Sequence, residues 1–127
     1  MKLFTLLFLL LPLWGSTQLL QPGLLLTVHQ DPSGRNRDIE VIYRDPGRCT
    51  DESFIDLITE AGHVALKPVR HHMSCQIVSW GRITTDEGLQ MLKTSPLIMV
   101  RIENPASESV YYFPVTDKNY LMRVLKD

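Results

Sequence analysis

Apolar and polar residues alternate in short stretches along most of the chain, which predicts strands with one buried face. Ile39, Val41 and Tyr43 alternate with Glu40, Ile42 and Arg44, and Ile98, Val100 and Ile102 with Arg101 and Glu103. The first set predicts one well-defined apolar face, and the second places Arg101 and Glu103 outward. Leu24 to Val28 predicts a further strand, stopped by the Asp31-Pro32-Ser33-Gly34 turn residues. Val64 to Val69, Gln76 to Trp80 and Val110 to Val115 complete the set, the last entered through an Asn104-Pro105-Ala106-Ser107 turn.

Three segments carry helical signals instead. Thr50-Asp51-Glu52-Ser53 joins a hydroxyl cap to first-turn acids, and Phe54, Ile55, Ile58 and Ala61 fall on one stripe, with Gly62 as the stop. Thr85-Asp86-Glu87 opens a second helix that buries Leu89 and Leu92, with Gly88 weakening its interior. Thr116-Asp117 caps a third, striped by Tyr120, Leu121, Val124 and Leu125. The three Thr-Asp openings are good N-terminal chemistry in their own right, and the segments around them share little else.

Residues 1–17 stand apart. Lys2 precedes the apolar run Leu3 to Leu13, and Trp14-Gly15-Ser16-Thr17 turns small and polar. This is the pattern of a cleavable secretory signal peptide, with the cut near Thr17. A run of about eleven apolar residues is short of the roughly 20 needed to span a bilayer. The expectation is a secreted or periplasmic protein with no stable membrane insertion, its residues 18–127 forming one small α/β domain.

Charge and cysteine content narrow the function. The chain carries 13 basic and 14 acidic residues, a balance that argues against nucleic-acid binding, which needs a basic excess. Its two cysteines, Cys49 and Cys75, predict one structural disulfide in an oxidising compartment.

From Ile39 onward the order strand, helix, strand, helix, strand, strand, helix, with an extra strand near 74–80, resembles the thioredoxin-like superfamily. Ser95-Pro96-Leu97-Ile98-Met99-Val100 resembles that family's proline-led core strand. The hairpin through Asn104-Pro105 into Tyr112-Phe113-Pro114-Val115-Thr116, with its final helix, resembles the C-terminal module. Arg44-Asp45-Pro46-Gly47-Arg48-Cys49 stands where members carry the redox loop. The resemblance implies a central mixed sheet of five to six strands with three helices. Three strand-strand-helix units, an α+β arrangement, are the alternative. No Cys-x-x-Cys occurs, since Cys49 has Pro46 before it and Glu52 after it at that spacing; dithiol exchange does not carry over.

Three kinds of site suggest themselves. Cys49, beside Arg48 and just before a helix start, is a candidate reactive thiol if it is free. His71, His72 and Met73 are candidate copper ligands, although neighbouring residues of an extended segment point to opposite faces. Trp80, Tyr111 and Tyr112 are candidate contact residues; Tyr111 and Tyr112 must face opposite sides of a strand, and an exposed Tyr beside Trp80 suits protein or sugar contacts. No hydrolase, metalloprotease or phosphate-loop motif occurs. The expected function is therefore an exported, non-enzymatic binding protein of inhibitor, immunity or adaptor type, needing no cofactor. Its partner is another exported or envelope protein. A thiol redox protein using Cys49 and a copper binder are the alternatives.

Overall fold

A computed structural model describes residues 18–30, 36–43, 53–69, 78–105 and 108–125. In chain order these form β1 (Gln18–Gln21), β2 (Leu24–Gln30), β3 (Arg37–Tyr43), β4 (Phe54–Thr59), β5 (Gly62–Ala65), β6 (Lys67–Pro68) and β7 (Val78–Arg82). Helix α1 (Asp86–Thr94), β8 (Leu97–Asn104), β9 (Ser109–Pro114) and helix α2 (Tyr120–Val124) follow. The strands build a five-stranded sheet A, ordered β1-β2-β3-β7-β6, and a four-stranded sheet B, ordered β5-β4-β8-β9. Among the described residues every ladder is antiparallel.

The inner faces of the two sheets share one core. Leu26, Ile39 and Val41 from sheet A and Leu57, Val100 and Ile102 from sheet B are fully buried in it. Tyr43 of β3 reaches across, its ring 5.6 Å from Tyr111 and 6.3 Å from Phe113 of β9. Aromatic contacts at these spacings add to the burial of the rings themselves.

The sheets are tied at both corners. At one, the chain passes from β5 in sheet B to β6 in sheet A through the buried Leu66, whose N–H donates to Ile55 O at 2.9 Å. Leu66 lies so close to Gly81 of β7 that a Cβ there would stand 2.6 Å from Leu66 Cβ; only glycine lets the strands approach this far. At the other corner the Gln21 side-chain amide acts as a short stretch of strand. Its Nε2 donates to Pro114 O at 2.7 Å, and Thr116 N donates to its Oε1 at 3.0 Å.

Both helices pack over the core. Thr85 Oγ1 accepts from Gly88 N at 3.0 Å, the N-cap its sequence predicts. Gly88 is required as well as tolerated, because a Cβ there would fall 2.9 Å from Val64 Cγ1. In α2 the cap differs from expectation. Asn119 occupies the N-cap position without a side-chain bond, and Asp117 instead pairs with Arg123 at 2.8 Å. Tyr120 is fully buried and directs its hydroxyl to Leu26 O at 3.4 Å; burial pushes its pKa up to about 12.

The expected α/β class is overturned. The structure is mostly β, its sheets are antiparallel rather than mixed, and the described residues hold two short helices instead of three. A thioredoxin-like α/β sheet with three helices is thereby excluded, and so is the arrangement of three strand-strand-helix units. The decisive segment is 54–59. It fits two periods: Ile55 and Ile58 suit a helical stripe, while Ile55, Leu57 and Thr59 alternate with Phe54, Asp56 and Ile58. The strand wins because β4 lies inside sheet B, paired with β5 on one side and β8 on the other. A central strand satisfies its backbone on both edges, and β-branched residues suit that surface. A smaller correction concerns β8. A register shift at Ile58/Thr59 puts Leu97 rather than Ile98 into the core.

Candidate interaction surface

Because the side chains of a strand alternate, each residue buried by sheet B leaves a neighbour on its outer face. The register aligns these neighbours in rows. Phe54, Glu103 and Val110 form one row, and Asp56, Arg101 and Tyr112 the next. Ile58, Met99 and Pro114 form a third, with His63 of β5 beside Ile58. Phe54, Val110 and Tyr112 are large and exposed, at 43 %, 42 % and 57 %.

The polar groups between them form two ion pairs. His63 Nδ1 lies 3.2 Å from Asp56 Oδ1, and Arg101 lies 3.5 Å from Glu103 Oε2. The Arg101 guanidinium also stands over Tyr112, its carbon 6.0 Å from the ring centroid. Tyr112, more than Glu103 and Asp56, holds the Arg101 pKa above its ordinary value. These pairs are solvent-screened and stabilise the fold little. Arg101 stands against Tyr112, so that a cation and three large side chains face outward together. That mixture suits contact with another protein: Tyr and Arg are enriched at binding hot spots, and aromatic residues at interfaces generally.

The outer face of sheet A is organised differently. Arg82 makes two bonds to Asp38, Nε to Oδ1 at 2.6 Å and NH2 to Oδ2 at 3.0 Å, and Asp38 is buried. His29 Nε2 lies 3.2 Å from Glu40 Oε1, and the His29 ring is 4.9 Å from that of Trp80. Here the polar and aromatic groups are engaged with one another.

The expected contact residues are therefore divided three ways. Tyr112 faces outward on sheet B. Tyr111 faces inward, stacked on Phe113 with ring centroids 6.4 Å apart. Trp80 belongs to sheet A, on the opposite outer face, so no exposed Tyr stands beside it as expected. Cys49, Cys75, His71, His72 and Met73 lie outside the described residues. Among the described residues no three His, Cys, Asp or Glu side chains gather as a metal site requires. A comparison with known proteins finds no matching family model, curated protein or solved structure.

Sequence reasoning missed Phe54 and Val110 as surface residues. Phe54 was expected on a buried helical stripe. The signal that would have found it is the alternation from Phe54 to Thr59, read as a strand. Val110 is legible only from the register that places it beside Glu103.

Proposed function

We propose that the chain is an exported, non-enzymatic binding protein that holds another exported or envelope protein against the outer face of sheet B. The observation that carries this reading is the patch of Phe54, Val110 and Tyr112 around Arg101, exposed on a sheet whose other face is fully engaged in the core. The leader at 1–17 supplies the export, and a Cys49–Cys75 disulfide is part of the same reading. The described strand ends leading toward those cysteines support it. β3 ends at Tyr43 and β7 begins at Val78, and the two ends are neighbours through the Ile42–Val78 pair.

The test compares capture from an exported or envelope extract by the native chain, by Phe54→Ser/Tyr112→Ser, and by Leu20→Ser. Leu20 is 78 % exposed and lies on sheet A, outside the patch. The native chain and Leu20→Ser should retain the same partner, and the double variant should lose it by at least about tenfold, the loss of one hot spot. Equal retention by all three would sink the reading.

A further inference from the structure

Strand β9 ends sheet B, and its outer edge is unusual. Val115 N donates to Ile98 O at 3.0 Å. With Val100 opposite Phe113 and Ile102 opposite Tyr111, the antiparallel pattern turns the main chains of Tyr111 and Phe113 toward β8. It turns those of Val110, Tyr112 and Pro114 away from it. At Pro114 and Thr116 these outward groups are taken by the Gln21 amide, which binds there as a peptide unit of a neighbouring strand would. Among the described residues no strand lies on that side of β9 to take the N–H and C=O groups of Val110 and Tyr112. Of the usual devices that blunt an edge, β9 has only a proline, Pro114 at its end; no lysine or inward charge stands from Ser109 to Phe113. Two large apolar side chains stand there instead.

We infer that this edge pairs with the same edge of a second copy, β9 against β9 about a two-fold axis at Tyr111. The edge is complementary to itself. In that register Val110 of each copy lies opposite Tyr112 of the other, a β-branched residue against an aromatic one, which is a favourable cross-strand pair. Both pairs are of the hydrogen-bonded type, so the outward groups of Val110 and Tyr112 are all satisfied, in about four main-chain bonds. The flanking charges agree as well. The row holding Arg101 and Tyr112 continues into Val110 and Glu103 of the second copy, so no like charges meet across the junction. The product is one continuous antiparallel sheet in which the two outer faces of sheet B lie side by side. This rests on the proposed use of that face, which it doubles in width.

Sedimentation equilibrium on the chain purified from the exported fraction tests the pairing. The native chain should have twice the single-chain mass. Val110→Lys/Tyr112→Lys sets like charges opposite each other at both pairs and should be a single chain. Val110→Lys/Tyr112→Glu sets Lys against Glu in the same register and should recover the dimer. Both double variants change only outward side chains, so matching circular dichroism spectra should accompany the change in mass, with the dimeric variant melting higher. A native chain that stays monomeric up to about 0.5 mM, within the millimolar-to-micromolar range of weak association, overturns the inference. So does equal mass for the two double variants. A monomeric native chain that still captures its partner would end the dimer and leave the binding reading standing; a dimer that captures nothing would do the reverse.

Discussion

The outer faces of the two sheets are made by the same alternation of side chains, yet they differ in how deeply their polar pairs are buried. On sheet A, Asp38 is buried under a two-bond contact with Arg82, and His29 is held between Glu40 and Trp80. On sheet B Asp56 pairs with His63 and Arg101 with Glu103 in part-exposed contacts, and Phe54, Val110 and Tyr112 stand exposed among them. The first arrangement contributes to stability, because a buried carboxylate is tolerated only with a well-placed partner. The second contributes little to stability and leaves its residues available to something else. What separates the two faces here is the buried Asp38–Arg82 pair on one and the cluster of exposed large side chains at Phe54, Val110 and Tyr112 on the other.

The sharpest way to break that comparison is to remove one member of the sheet A pair. Arg82→Ala leaves the Asp38 carboxylate buried without its main counter-charge and should lower unfolding free energy by roughly 2–4 kcal/mol, measured by urea denaturation. Arg101→Ala, the corresponding change on sheet B, should leave the denaturation midpoint unmoved. Similar losses from both would mean that the two faces do the same job.

An effect of intermediate size comes from Tyr120, which joins α2 to β2 of sheet A. Its folded pKa of about 12 exceeds the unfolded value of 10. Between those values the unfolded chain binds fewer protons than the folded one, so stability is full below pH 10 and falls as pH rises toward 12. The loss should be roughly 2 kcal/mol, and Tyr120→Phe should abolish the slope. Stability that stays flat over that window in the native chain would show that the hydroxyl is not held where burial places it.

The smallest effect sharpens the other side of the comparison. Tyr112→Ser should change thermal stability by no more than about 0.5 kcal/mol, because its ring is largely in water already. A loss of several times that would make the patch structural and remove its claim to be a binding face.

Much of this was legible in the chain itself. Local chemistry marked β2, β3, α1 and β8, because a strand alternation or a capped stripe needs only neighbours in sequence to declare it. Thr85 binding Gly88 N is such a case, and so is the outward placement of Arg101 and Glu103. Segment 54–59 was not legible in this way, since its apolar residues satisfy a period of two and a helical stripe equally well. The choice between them came from β5 and β8, which offer β4 hydrogen-bond partners on both edges. The same limit separated Trp80 from Tyr112. Each was marked as an aromatic strand residue by sequence, but which sheet it joins and which way that sheet faces depend on pairings between residues far apart in the chain. Local propensity determined β2, β3, β8 and the Thr85 cap of α1. Only the long-range ladders decided that the strands form two antiparallel sheets, and that Phe54, Val110 and Tyr112 end up together at the surface.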